Sequence, residues 1–267
     1  MKTVVITGSA RGLGFEMAKC FRIKDFNVVI SDLYIKDLEK AREELSSVKG
    51  AGSVDYLVCD ITKEKDIINL IDAVKEKYGV IDYWINNAGV NQPDKMIWDM
   101  ESDEVDKMID IDLKGTMIAS KLISKVMIEQ DYGFIYNVEG HGSNDAIIPG
   151  LSIYGTAKRG VTYFTMALAK ELEQKKVDVI VGRLSPGIMI TDFLVNSFRN
   201  KKIKLSDKNK KIYNILGDYP SVVAKYLVNK MLDNTNNNVR INWLTTKRAM
   251  LKFMKATFVK RDLFKEN

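Results

Sequence analysis

The sequence predicts an α/β fold, a doubly wound parallel sheet of about seven strands with helices on both faces. Three observations carry this reading. Short β-branched runs alternate with longer helical periodicities along most of the chain, the pattern of parallel strands joined by crossover helices. The first run, Val4 to Ile6, opens into a turn holding Gly8, Gly12 and Gly14 and then into an amphipathic stretch. With 267 residues and 46% hydrophobic side chains, the chain can bury the core of one such domain, taken as residues 1–245, followed by a tail at 246–267.

The glycines after the first strand let the backbone turn tightly and approach a ligand with no Cβ in the way. Phe15, Ala18, Cys20 and Phe21 recur at helical spacing, so the helix N-terminus aims its free N–H groups and positive dipole end at a pyrophosphate. A dinucleotide is the natural guest. Asn27 to Ser31 reads as a second strand ending at Asp32, where a carboxylate suits the adenosine ribose hydroxyls or simply ends the strand. Residues 36–48 look helical, 53–59 form a third strand, and Asp60 reads as the cap of a helix from about Lys63. Ile81 to Ile85 is a fourth strand leading into Asn86, Asn87, Ala88 and Gly89. One long helical pattern then runs from Asp103 to Gln130, and Phe134 to Val138 is a fifth strand. Tyr154 and Lys158, four residues apart, share a helix face where an ammonium can lower the pKa of a phenol. Val177 to Val181 is a sixth strand, followed by Ser185, Pro186, Gly187 and Thr191. Residues 220–232 read as a helix and 239–244 as a seventh strand.

Composition narrows the classes. The two cysteines, Cys20 and Cys59, form no CxxC or Cys/His cluster, so neither a disulfide framework nor a metal site is expected. The first strand starts too early for a signal peptide and no long apolar run follows, so a cytoplasmic location is expected. The net charge of +6 is local: residues 199–211 carry seven basic residues and one Asp, residues 247–267 seven basic and two acidic, and the rest is net acidic. These runs read as solvated faces without a nucleic-acid module, so nucleic acid is not an expected partner. The tail repeats Met250, Phe253, Met254, Phe258, Leu263 and Phe264 among lysines. Such a segment can lie on a membrane surface, but packing on the protein or a partner subunit is favoured.

In this order, TGxxxGxG (Thr7 to Gly14), NNAG (Asn86 to Gly89), YxxxK (Tyr154 to Lys158) and PGxxxT (Pro186 to Thr191) resemble the short-chain dehydrogenase/reductase family over about residues 3 to 245. The resemblance implies a Rossmann-type fold and an NAD(P)-dependent oxidoreductase that moves a hydride between nicotinamide and a carbonyl or alcohol. Tyr154 would be the general acid/base, with Lys158 lowering its pKa and holding the ribose. The implied cofactor contacts are Gly8, Arg11, Gly12, Leu13 and Gly14 in the first turn, Asp32, Asp60 and Ile61 around the adenosine, and Asn87, Ala88 and Gly89 beside the sheet. Tyr154, Lys158, Pro186, Gly187 and Thr191 complete the set at the nicotinamide end. Residues 192–217 would be the substrate loop and lid, and the two long helices at 103–130 and 152–174 would build a homodimer or homotetramer. NVEGHGS (Asn137 to Ser143), LSPGIMITDF (Leu184 to Phe193), NILGDYP (Asn214 to Pro220), INWLT (Ile241 to Thr245) and KRDLF (Lys260 to Phe264) look like the chlorophyll b reductase-like branch. That branch implies reduction of a carbonyl; the expected partner is a hydrophobic small-molecule carbonyl or alcohol.

Two positions depart from the family pattern. The usual Ser upstream of the Tyr is displaced: counting back from Tyr154 reaches His141, while anchoring on Asn137 reaches Glu139 and Gly140. Ser143 is the expected hydroxyl and His141, the only histidine, its rival. Asp112 stands where the family usually has an Asn that holds a water beside the Lys. For the cofactor, NAD is expected over NADP, because Asp32 repels a 2′-phosphate and Leu33 offers no compensating cation, although Arg11 opposes this. Two other readings are a dinucleotide-sensing binding protein and a membrane-peripheral scaffold.

Overall fold

The computed structural model describes residues 1–92, 95–144, 146–191 and 206–264. Its seven strands are β1 (Thr3–Thr7), β2 (Asn27–Asp32), β3 (Val54–Val58), β4 (Tyr83–Asn86), β5 (Gly133–Val138), β6 (Val179–Ser185) and β7 (Val239–Asn242). They form one sheet in the order β3-β2-β1-β4-β5-β6-β7, with every neighbouring pair parallel. Chain direction across the sheet reverses between β1 and β4, so a crevice opens at their carboxyl ends, where such sheets bind ligands.

Alternation along β1 shows how both faces are covered. Val4 and Ile6 join a core with α1 (Gly12–Ile23), α2 (Ile35–Ser47) and α8 (Pro220–Leu232). Val5 joins the opposite core with α3 (Glu64–Tyr78), α5 (Thr116–Gln130) and α6 (Ser152–Lys175). All of β1 is buried, as a central parallel strand requires.

The expected helix at 103–130 is interrupted. α4 (Ser102–Ile109) passes into one π-helical turn at Asp110–Gly115 before α5 begins. Asp60 does not cap α3: the cap position is Lys63, and Asp60 Oδ1 accepts the Thr62 N–H at 3.1 Å and the Thr62 hydroxyl at 2.7 Å. It closes the turn ahead of the helix instead. Of the expected loop and lid, residues 192–205 lie outside the described residues, and α7 (Asp207–Leu216) fills the remainder, its cap Ser206 accepting the Asn209 N–H.

The tail folds back onto the domain. Thr245 caps α9 (Thr246–Ala256), whose Arg248 guanidinium stacks 3.8 Å from the centre of the Trp243 ring. Lys252 donates to the Leu216 and Gly217 carbonyls and to Asp218, which also accepts from Trp243 Nε1 and Arg261. The Asp218 backbone bridges to Met189 through Asp218 N–H to the Ile188 carbonyl and Ile190 N–H to the Asp218 carbonyl. The Leu263 N–H bonds Asn214 Oδ1, and the Leu263 side chain is buried.

Candidate active site

A cavity of about 1160 Å³ follows the carboxyl edge of the sheet, lined from Gly8, Arg11, Gly12, Leu13 and Asp32 through Asn87, Ala88 and Gly89 to Tyr154, Lys158, Pro186, Gly187 and Thr191. Asp60 and Ile61 border it as well. Gly14 sits behind this wall. A Cβ there would lie 2.6 Å from Asn87 Nδ2, and one on Gly8 (φ +60°) would lie 2.6 Å from Ala88 Cα. The Asn87 amide donates to the Thr7 and Gly8 carbonyls, while Thr7 Oγ1 accepts the Asn87 and Ala88 N–H groups at 3.1 Å. The two expected motifs are thus one packed unit. Among the described residues no side chain caps the N-terminus of α1, which leaves its first N–H groups for an anion. Asp32 lines the same end, its carboxylate steered by the Ala10 N–H at 3.2 Å and the Leu33 N–H at 2.8 Å. A cradle of N–H groups beside a positioned carboxylate fits a dinucleotide: pyrophosphate at the helix, ribose at the acid.

At the other end, Tyr154 and Lys158 stack on one face of α6, the ammonium 5.6 Å from the centre of the phenol ring, and both are buried. Gln92, also buried, accepts the Ile153 and Tyr154 N–H groups at 3.0 and 3.1 Å, so it holds the first turn of α6. The π turn brings Asp112 beside Lys158, with Nζ 2.9 Å from Oδ1. π turns recur at functional sites because one added residue re-aims a side chain. Asp112 also accepts the Val90 N–H at 3.3 Å. Burial works against its charge and raises its pKa, with Lys158 opposing. Burial also works against the Lys158 charge, but Asp112 and Tyr154 outweigh it and hold the ammonium above its ordinary value. The phenol departs from expectation. Burial pushes Tyr154 up to about 12, with Lys158 pulling it down and Asp112 adding to the rise. Part of the ammonium's effect is spent on the carboxylate.

Ser143 is the second departure. Its hydroxyl accepts the Gly140 N–H at 3.2 Å and donates to the Lys158 carbonyl at 3.3 Å, and the residue is buried outside the cavity lining. It braces the turn against α6. The position beside the reacting phenol belongs to Gly140, where a built Cβ would overlap the Tyr154 hydroxyl. His141 lines the cavity with a buried Nε2 that has no hydrogen-bond partner among the described residues, and burial holds its pKa below the ordinary value.

Two further polar groups support the site through contacts between distant elements. Glu139, fully buried, accepts from Thr162 at 2.9 Å and from Arg240 Nε at 2.6 Å, tying β5 to α6 and β7. Asn86 donates to Ser120 and Asn137, and Asn137 donates to Thr165, a buried network linking β4, β5, α5 and α6.

The family model for short chain dehydrogenase matches residues 2–202. The chain belongs to this family. Probable chlorophyll(ide) b reductase NYC1 of Oryza sativa subsp. japonica is 31% identical over 271 residues, covering 96% of this chain and 52% of the relative. Chlorophyll(ide) b reductase NOL of the same plant is 35% identical over 228 residues, covering 84% of this chain and 65% of the relative. The chain thus spans about half to two thirds of the length of these two relatives. The crystal structure of levodione reductase superposes with a TM-score of 0.78 at 25% identity, over 90% of this chain and 96% of that one. Tyr154 and Lys158 of the family's YxxxK pattern stand at the end of the cleft away from the α1 N-terminus. A non-catalytic sensor or scaffold is not favoured.

Proposed function

We propose that this chain is a nicotinamide-dependent oxidoreductase that reduces the carbonyl of a hydrophobic small-molecule aldehyde or ketone, using NADH in preference to NADPH. The observation that carries this is the buried Tyr154–Lys158–Asp112 group at one end of a cavity whose other end holds the α1 N-terminus and Asp32. A bound nicotinamide dinucleotide supplies the hydride. Tyr154, protonated at neutral pH, gives its proton to the carbonyl oxygen as the carbon is reduced, and the Lys158 ammonium stabilises the phenolate left behind. Asp112 fixes that ammonium beside the ring. His141, which lines the cavity and whose pKa burial holds below the ordinary value, orients the carbonyl oxygen in place of the displaced Ser. Asp32 accepts from the ribose hydroxyls and disfavours a 2′-phosphate. The uncharged exposed side chains Met117 on α5 and Tyr163 and Met166 on α6 support assembly of copies through these helices.

The test is NADH oxidation with a panel of hydrophobic aldehydes and ketones, followed at the nicotinamide absorbance. Turnover that disappears in Tyr154→Phe supports the reading; tight dinucleotide binding with no turnover of any carbonyl or alcohol overturns it.

A further inference from the structure

Helix α9 is amphipathic in the reverse of the usual sense for a surface helix. Arg248 and Lys252 face the domain, one stacked on Trp243 and the other bonded to Asp218 and two carbonyls. The outward face carries Met250 (62% exposed), Phe253, Met254 (64%) and, just beyond the helix, Phe258 (90%). An apolar face of this size turned to solvent marks a contact surface. Lys247, Lys255 and Lys260 are exposed among these side chains, and the sequence has no acidic residue from Thr245 to Arg261.

We propose that α9 is an interfacial helix that docks the enzyme on an anionic lipid surface. Charge selects this occupant. A second copy joined face to face through α9 would bring the same lysines against one another with no carboxylate of the segment to offset them. An anionic bilayer meets both features: apolar side chains enter the acyl boundary, while lysine stems bury their methylenes and lift their ammonium groups to the headgroups. The inward Arg248 and Lys252 leave the helix anchored as it docks, because their bonds do not compete with lipid. Docking would also bring the cavity near the lipid, since α9 packs on α7, whose Asn209, Ile212 and Tyr213 line that cavity.

The experiment is co-sedimentation of the full chain with vesicles of phosphatidylcholine alone or of equal parts phosphatidylcholine and phosphatidylglycerol. Binding to the anionic vesicles alone, weakened by salt, is expected. Met250→Ser/Met254→Ser/Phe258→Ser should lower it more than tenfold, and Lys247→Glu/Lys255→Glu should abolish its lipid selectivity. All five side chains are exposed, and unchanged thermal melting and NADH binding would report intact folding. The proposal is overturned if the parent protein stays in the supernatant, if the variants bind as it does, or if light scattering shows a dimer that the triple variant loses.

Discussion

The Lys158 ammonium lies 2.9 Å from Asp112 Oδ1, and both side chains are almost wholly shielded from water. Each group makes the other's charge tolerable, since a lone buried ion would carry a large desolvation cost. The consequence for catalysis is that Lys158 divides its field between Asp112 and a phenolate that exists only after proton transfer.

Replacing Asp112 by Asn removes the carboxylate charge that opposes ionisation of the phenol. Burial, the main cause of the raised Tyr154 pKa, stays, but the upward push from Asp112 goes. The phenol pKa falls. In alcohol oxidation Tyr154 must be a phenolate, so the rising limb of kcat/KM against pH is expected at lower pH than in the parent. A limb that stays in place or moves to higher pH would contradict the coupling.

Tyr154→Phe keeps the ring that packs beside Lys158 but removes the proton. Turnover is expected to drop by about 10²–10⁴-fold, the usual worth of a positioned acid. NADH affinity, read by fluorescence titration, should stay close to the parent value.

His141→Ala is expected to lower kcat for carbonyl reduction more than Ser143→Ala does. The Ser143 hydroxyl already serves the Gly140 N–H and the Lys158 carbonyl, so its loss should appear chiefly in thermal melting. Steady-state rates of both variants, measured beside their melting curves, separate the roles. The reverse order would return the carbonyl contact to Ser143.

Asp32→Ala should move the ratio of kcat/KM for NADH over NADPH toward NADPH, because it removes a charge that opposes a 2′-phosphate while Arg11 remains in the same cavity. An unchanged ratio would assign the choice to Arg11.

Gly8→Ala should destabilise the protein by about 1–3 kcal/mol, since the new methyl meets Ala88 and the backbone is left-handed there. Denaturant melts measure the loss, and NADH affinity should fall with it.

The glycine turn, the NNAG turn and the Tyr154–Lys158 pair were legible because each depends on local rules: a backbone that must tolerate a missing Cβ, a short polar turn, and side chains one helical turn apart. The sheet followed from repeated strand–helix alternation. The π turn was not legible, because the sequence from Asp103 to Gln130 keeps helical periodicity through it. Gln92 was missed for another reason: it acts on the first turn of α6 across some sixty residues of chain. The orientation of Ser143 likewise depends on a carbonyl of α6 that no local pattern reveals.

Asp218 makes the far end of the chain part of the cleft. Its backbone bridges to Met189 in the cavity wall, while its carboxylate, on a side chain 12% exposed, is held by Trp243, Lys252 and Arg261. A truncation before Thr246 would strip two cations from that acid and leave it partnered by one indole. The shortened protein would keep its sheet but lose the shape of one cavity wall, so it would fail as a catalyst before it failed as a fold.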